Sequence, residues 1–176
     1  AYLDGDKFDF KNDPSRYSYA LTTPVRFLAG VALQIGKIGL VSADYELVDY
    51  SSSKFSETGD GYDYSQKNEA IGKNLRRSNN IRLGAEMRYN HLYFRGGYGY
   101  YGKAFSQNDI NRALDYQIFS VGTGFREQNI FVDLAFSRMI NSQKYILFQS
   151  SAGDAISHMS IGRNMFTLTL GYRFGY

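Results

Sequence analysis

A two-residue alternation of apolar and polar side chains runs through most of this chain and restricts its fold more than any other feature. It is plainest at the end, "MFTLTLGYRFGY". There Phe166, Leu168, Leu170, Tyr172, Phe174 and Tyr176 fall on one side, with Thr167, Thr169, Gly171, Arg173 and Gly175 on the other. Successive side chains of a strand point to opposite faces, so the spacing predicts a strand with one apolar and one polar face.

The same pattern returns upstream. Val25, Phe27, Ala29, Val31, Leu33 and Ile35 share a face opposite Arg26, Gly30, Ala32 and Gln34, and "IGKIG" then predicts a tight turn. Val41, Ala43, Tyr45 and Leu47 oppose Ser42, Asp44 and Glu46. Ile81, Leu83, Ala85, Met87 and Tyr89 alternate with Arg82, Gly84, Glu86 and Arg88. After a short "NH" turn, Leu92, Phe94, Gly96, Tyr98 and Tyr100 alternate with Tyr93, Arg95, Gly97, Gly99 and Tyr101. A further hairpin is predicted around "REQN". Phe119, Val121, Thr123 and Phe125 share a face of its first arm. Ile130, Val132, Leu134 and Phe136 do so on its second, with Asp133 and Ser137 behind and a continuation through "KYILFQS".

Short connections near Lys37, Asn90 and Glu127 alternate with long polar ones at 51–79, 103–114 and 149–162. The first long one holds "SQKNEAIGKNLRR", which predicts a short helix with Ser65 as N-cap and Ile71 and Leu75 one turn apart; Gly72 weakens it. The plan is about seven antiparallel strands and one short helix in a long loop, an all-β chain. No βαβ unit or second domain is indicated, so residues 1–176 read as one unit.

Composition agrees: 16 Tyr, 13 Phe and 18 Gly against 2 Pro favour strands and tight turns. With no cysteine, a disulfide framework and a thiolate metal site are excluded. The net charge of +3 is interspersed, not gathered in the basic stripe that a nucleic acid needs. No apolar run approaches the roughly 18 residues of a membrane helix. The start, "AYLDGDKFDF", lacks the charged and apolar regions of a signal peptide, so none is expected within this chain.

Alternation fits a soluble sandwich with the apolar face inside, or a membrane barrel with the apolar face towards lipid. Three features favour the barrel. The predicted strands run roughly 10 to 13 residues against about 5 or 6 in typical globular sheets. The polar side mixes glycine with opposed charges, Arg and carboxylate with little Lys, which suits a confined interior where guanidinium forks pair. Phe27, Tyr50, Tyr89, Tyr98, Tyr100, Phe125, Phe174 and Tyr176 crowd strand ends, as interfacial girdles do. The expectation is therefore a partial, up-and-down transmembrane β-barrel, with short turns on the periplasmic side and long loops outside.

The segments "TPVRFLAGVALQIGKIGLVSADYELVDYSS", "SNNIRLGAEMRY", "RGGYGYYG", "FSVGTGFR", "FVDLAF" and "FTLTLGYRF" resemble, in order, the later part of FadL-like outer-membrane transport proteins, especially of the Bacteroidetes branch. The resemblance covers about Thr23 to Phe174. It implies a barrel with roughly twice as many strands, of which this would be the C-terminal half without plug and first strands. It implies passive transport of hydrophobic compounds, such as long-chain fatty acids or aromatic hydrocarbons, across the bacterial outer membrane, with no enzymatic step and no cofactor. Phe166, Leu168, Leu170, Tyr172 and Phe174 resemble the terminal signal read by the barrel assembly machinery. Other implied partners are outer-membrane lipid and lipopolysaccharide. Because a half-barrel has two open edges, a second copy of the chain is a further candidate partner. The alternatives are a structural or secretion-accessory barrel, and a soluble all-β fold.

Candidate site residues are few. Asp44, Glu46, Arg82, Glu86, Arg88, Arg95 and Asp133 form the expected ligand pathway, the bland reading being a structural lattice of salt bridges. "KNLRR" at a loop tip suits lipopolysaccharide phosphates, or is a solvated loop. Asp154, His158 and Ser160 have no nucleophile elbow or fixed spacing, and His91 is expected in a turn, so no catalytic residue is assigned. "DGDKFDFKND" resembles a calcium loop, but Phe8 stands where an oxygen ligand is needed, so no metal is assigned.

Overall fold

The computed structural model describes residues 2–3, 6–7, 18–59, 61–107, 109–112, 114–150 and 153–174. Two short strands, β1 (Tyr2–Leu3) and β2 (Asp6–Lys7), pair with each other. The rest of the expected calcium-loop segment lies outside the described residues. Strand β3 (Tyr19–Thr22) then precedes β4 (Val25–Ile35) and β5 (Gly39–Asp49). A 3-10 turn, β6 (Lys54–Glu57) and α1 (Ser65–Asn74) fill the first long connection. Five strands follow: β7 (Arg77–Tyr89), β8 (Leu92–Tyr101), β9 (Tyr116–Glu127), β10 (Ile130–Ser150) and β11 (Gly153–Tyr172).

Seven of these form one antiparallel sheet in the order β11-β10-β9-β8-β7-β5-β4, each strand beside its sequence neighbour within the sheet. This is the expected up-and-down order. The sheet is not closed: β4 and β11 are its two edges. The three short turns lie at one end. Positive φ at Gly36, Asn90 and Gln128 lets each turn reverse the chain tightly. Three backbone bonds link these turns to the next strand: Arg88 N–H to Ile38 O at 2.7 Å, Arg126 N–H to His91 O at 2.8 Å, and Arg173 N–H to Asn129 O at 2.6 Å.

Two expectations need correction. Within the expected loop 149–162, residues 149–150 and 153–162 are strand. β10 and β11 pair far beyond the end of β9, from Ser142↔Ser160 up to Ser150↔Gly153, with one irregularity near Ile146 and Phe148. Ser and Gly promise little apolar packing, but a ladder of backbone hydrogen bonds needs none. Asn111 supports this extension, its side chain bonding Lys144 N–H and Lys144 O like a third strand. Nor does Ser65 cap α1. Tyr64 holds the capping position, and the Asp63 carboxylate accepts bonds from the Ser65 N–H and hydroxyl at 2.8 Å each. An acid before the first turn does what the serine was expected to do.

Burial runs opposite to that of a water-soluble sheet. Buried residues include Val48, Ser78, Asn80, Glu46 and Tyr93, and all five lie on the polar face. The apolar face is open: Phe166 is 76% exposed and Leu170 69%. Val31, Leu33, Leu83, Met87, Val121 and Leu134 are exposed in the same way.

Candidate functional site

The polar face carries two groups of ion pairs. In the first, β4, β5 and β7 bring Arg26, Asp44, Glu46, Asn80 and Arg82 together. Glu46 receives bonds from Arg82 Nη1 at 3.0 Å and Asn80 Nδ2 at 3.2 Å, and pairs with Arg26 at 3.3 Å. Arg82 also reaches Asp44, its directly opposed partner, at 4.0 Å. Asn80 extends this group by accepting the Gly102 N–H and the Ser78 hydroxyl.

In the second group Arg95 on β8 bonds Glu86 on β7 at 2.6 Å and Asp133 on β10 at 2.5 Å. The second bond skips a strand, since β9 lies between β8 and β10. Gly124 of β9 makes this geometry available. A Cβ there would run into the Asp133 carboxylate and sit 3.4 Å from Arg95 Nη1. Gly30 does the same for Asp44 in the first group.

Six of the seven expected pathway residues are thus ion-paired, Asp44, Glu46 and Arg82 in one group and Glu86, Arg95 and Asp133 in the other. Arg88 is the seventh and stands apart. It belongs to a row at the short-turn end that includes Arg126 and Arg173, neither of them on the expected pathway. Arg88 opposes Tyr93; Arg126 opposes Phe131; Phe131 opposes Gly171, two residues before Arg173. Tyr93, 8% exposed, sits among three guanidinium groups, with Arg126 at 4.5 Å, Arg88 at 5.3 Å and Arg95 at 5.6 Å from its ring centre. Tyr93, Arg88, Arg126 and Arg173, with His91, Glu127 and Phe131, line a cavity of about 400 Å³. One sequence signal pointed here: each arginine stands within two residues of a predicted turn or of the last strand's end, on the polar side of the alternation.

A second concavity lies at the other end. The Asn68 side chain bonds both Phe55 N–H and Phe55 O, which holds α1 against β6. Tyr19, Phe55, Tyr62, Tyr64 and Lys67 then line a groove of about 420 Å³. Its rings pack edge-on for Tyr19 and Phe55 and stacked for Phe55 and Tyr64. Alternation carried no hint of this groove, since it belongs to the polar connections.

The remaining candidates are placed as follows. In "KNLRR", Arg76 donates its backbone N–H to Ala104 O and its Nε–H to Lys103 O at 3.3 Å, and Arg77 pairs with Asp49 at 2.9 Å, so both guanidinium groups meet acceptors of the protein itself. His91 is in its turn, with Nδ1 at 3.1 Å from Arg126 O. His158 and Ser160 lie on β11, opposite Lys144 and Ser142, and not in a loop; the Asp154 side chain is outside the described residues. The residues of the expected assembly signal, Phe166, Leu168, Leu170, Tyr172 and Phe174, are all exposed on the apolar face or just beyond β11. Among the described residues no group of three or more His, Asp or Glu could hold a metal ion. Comparison with protein-family models, with curated proteins and with solved structures found no match.

Proposed function

We propose that the seven-stranded sheet is part of the wall of a bacterial outer-membrane barrel that passes hydrophobic small molecules without chemical change. The observation that carries this reading is the inverted burial, with charged and polar groups buried on one face and large apolar groups open on the other. Water penalises that arrangement, and lipid favours it. The aromatic groove by α1 adds support, because it offers apolar rings beside one ammonium group where an apolar compound bearing an anion would dock. The resemblance to FadL-like proteins supplies the ligand class, long-chain fatty acids or aromatic hydrocarbons, and the absence of a catalytic step. Lipid on the apolar face and the assembly machinery at β11 are the partners that follow from the same reading.

Strand parity bears on how such a wall closes. With seven antiparallel strands, β4 and β11 run in the same direction. An all-antiparallel closure therefore needs an odd number of further strands. A second copy inserted the same way would leave two parallel seams.

Two measurements test the proposal. Light scattering of the purified chain with and without detergent checks the faces: a folded monomer in plain buffer overturns the membrane reading. Uptake of a labelled fatty acid into liposomes holding the protein checks transport. A folded, inserted protein with no uptake favours a purely structural barrel.

A further inference from the structure

We propose that the short-turn end of the polar face is a binding site for an oxyanion, built by Arg88, Arg126 and Arg173 around Tyr93. The inference does not rest on the transport reading, because the site exists on the sheet whatever covers the apolar face.

The first argument is charge. Arg26, Arg82 and Arg95, deeper on the same face, each lie within ion-pair distance of a carboxylate. Among the described residues Arg88, Arg126 and Arg173 have no such partner, and Glu127 is the one acid lining their cavity. Like charges gathered on one face repel each other, and an anion between them removes that cost.

The second argument is placement. The three arginines stand on every second strand, each offset by two residues towards the turns from the one before, so neighbouring Cα atoms are about 12 Å apart. Each is held by its backbone N–H to the carbonyl of the preceding turn. The bases of the side chains are therefore fixed, while their heads share a cavity of about 400 Å³. The Tyr93 ring holds the Arg88 and Arg126 guanidinium groups against its face.

The third argument is chemical fit. Guanidinium is planar, weakly hydrated and rich in donors, and it meets carboxylate or phosphate oxygens in pairs. His91 lines the same cavity. The cavity suits one small anionic group, either free or as the head of an amphiphile.

The test is calorimetric titration of the whole chain in non-ionic detergent at low salt, with inorganic phosphate as probe. Saturable binding is expected, weakened about tenfold in Arg126→Gln/Arg173→Gln. Lys37→Gln, which removes a charge from a turn at the same end without touching the cavity, should change it by less than about twofold. Octanoate displacing phosphate while octanol does not would identify the head of an amphiphile as a ligand; phosphate alone binding would identify a free anion. Should the double variant fold poorly, Arg173→Gln alone is the fallback. There phosphate should raise the urea unfolding midpoint at low salt less than in the parent chain. No saturable phosphate binding, equal weakening by Lys37→Gln, or a midpoint shift unchanged in Arg173→Gln would each overturn the site.

Discussion

Arg95 and Asp133 bond at 2.5 Å from strands that do not touch, across the bare backbone of Gly124. The contact exists because β9 presents no side chain at that level. Gly124→Ala should therefore displace the Asp133 carboxylate and lose about 1–3 kcal/mol. Gly96→Ala, where a Cβ meets nothing within 4 Å, should be neutral to about 0.5 kcal/mol. Guanidinium unfolding in detergent, followed by circular dichroism, compares the two.

Glu46 is the hub of the other ion-pair group, 8% exposed and joined to Arg26, Asn80 and Arg82. Glu46→Leu strands those donors. A fully buried pair broken on one side costs about 3–5 kcal/mol; with the Arg82 side chain a third exposed, about 2 kcal/mol is expected here. Adding Arg82→Met to Glu46→Leu should recover part of the loss, since no charge is then left alone. The same unfolding assay reads both variants.

The two faces of β11 should respond oppositely to charge. Leu168 faces out on the apolar side and is 63% exposed. Leu168→Arg should cost about 2–4 kcal/mol if that side meets the middle of a bilayer. Thr167→Arg, one residue earlier and on the polar face, should be tolerated. Folding yield into lipid vesicles distinguishes them. Equal tolerance at both positions would show that the apolar face meets water.

Acid should loosen the start of α1. The Ser65 N–H and hydroxyl both donate to Asp63 and hold its carboxyl below the ordinary value of 3.8. A carboxylate depressed in the folded state stabilises above its unfolded pKa, and that support is lost as pH falls through the lower, folded value. The Ser65 amide resonance should therefore titrate with a midpoint below 3.8. In Asp63→Ala that titration should vanish, and Ser65 should exchange faster at neutral pH.

The alternation and the turns were legible in the sequence. Val25 to Ile35, the turn at Lys37, and the hairpins at Asn90 and Gln128 stand where local spacing predicts them. Which side chains share a face follows from a period of two, and turn position follows from residues that tolerate positive φ; both are properties of neighbouring residues. Residues 153–162 are strand although their side chains carry no alternation, because strand pairing there is made by backbone groups common to every residue. Ser65 has the residue type of a cap, but the carboxylate that meets the first turn is Asp63, two residues earlier, placed there by the fold of the connection.

The sequence by itself determined an all-β chain with one apolar and one polar face. Only the tertiary structure decided which charges meet. Arg95 finds Asp133 because seven strands line up in one register and a glycine stands between them. Among the described residues Arg88, Arg126 and Arg173 have no carboxylate within ion-pair distance, because that same register puts Asp44, Glu46, Glu86 and Asp133 beside other arginines. Faces are a local property of the backbone; pairing across strands depends on register, and register is set by the whole sheet.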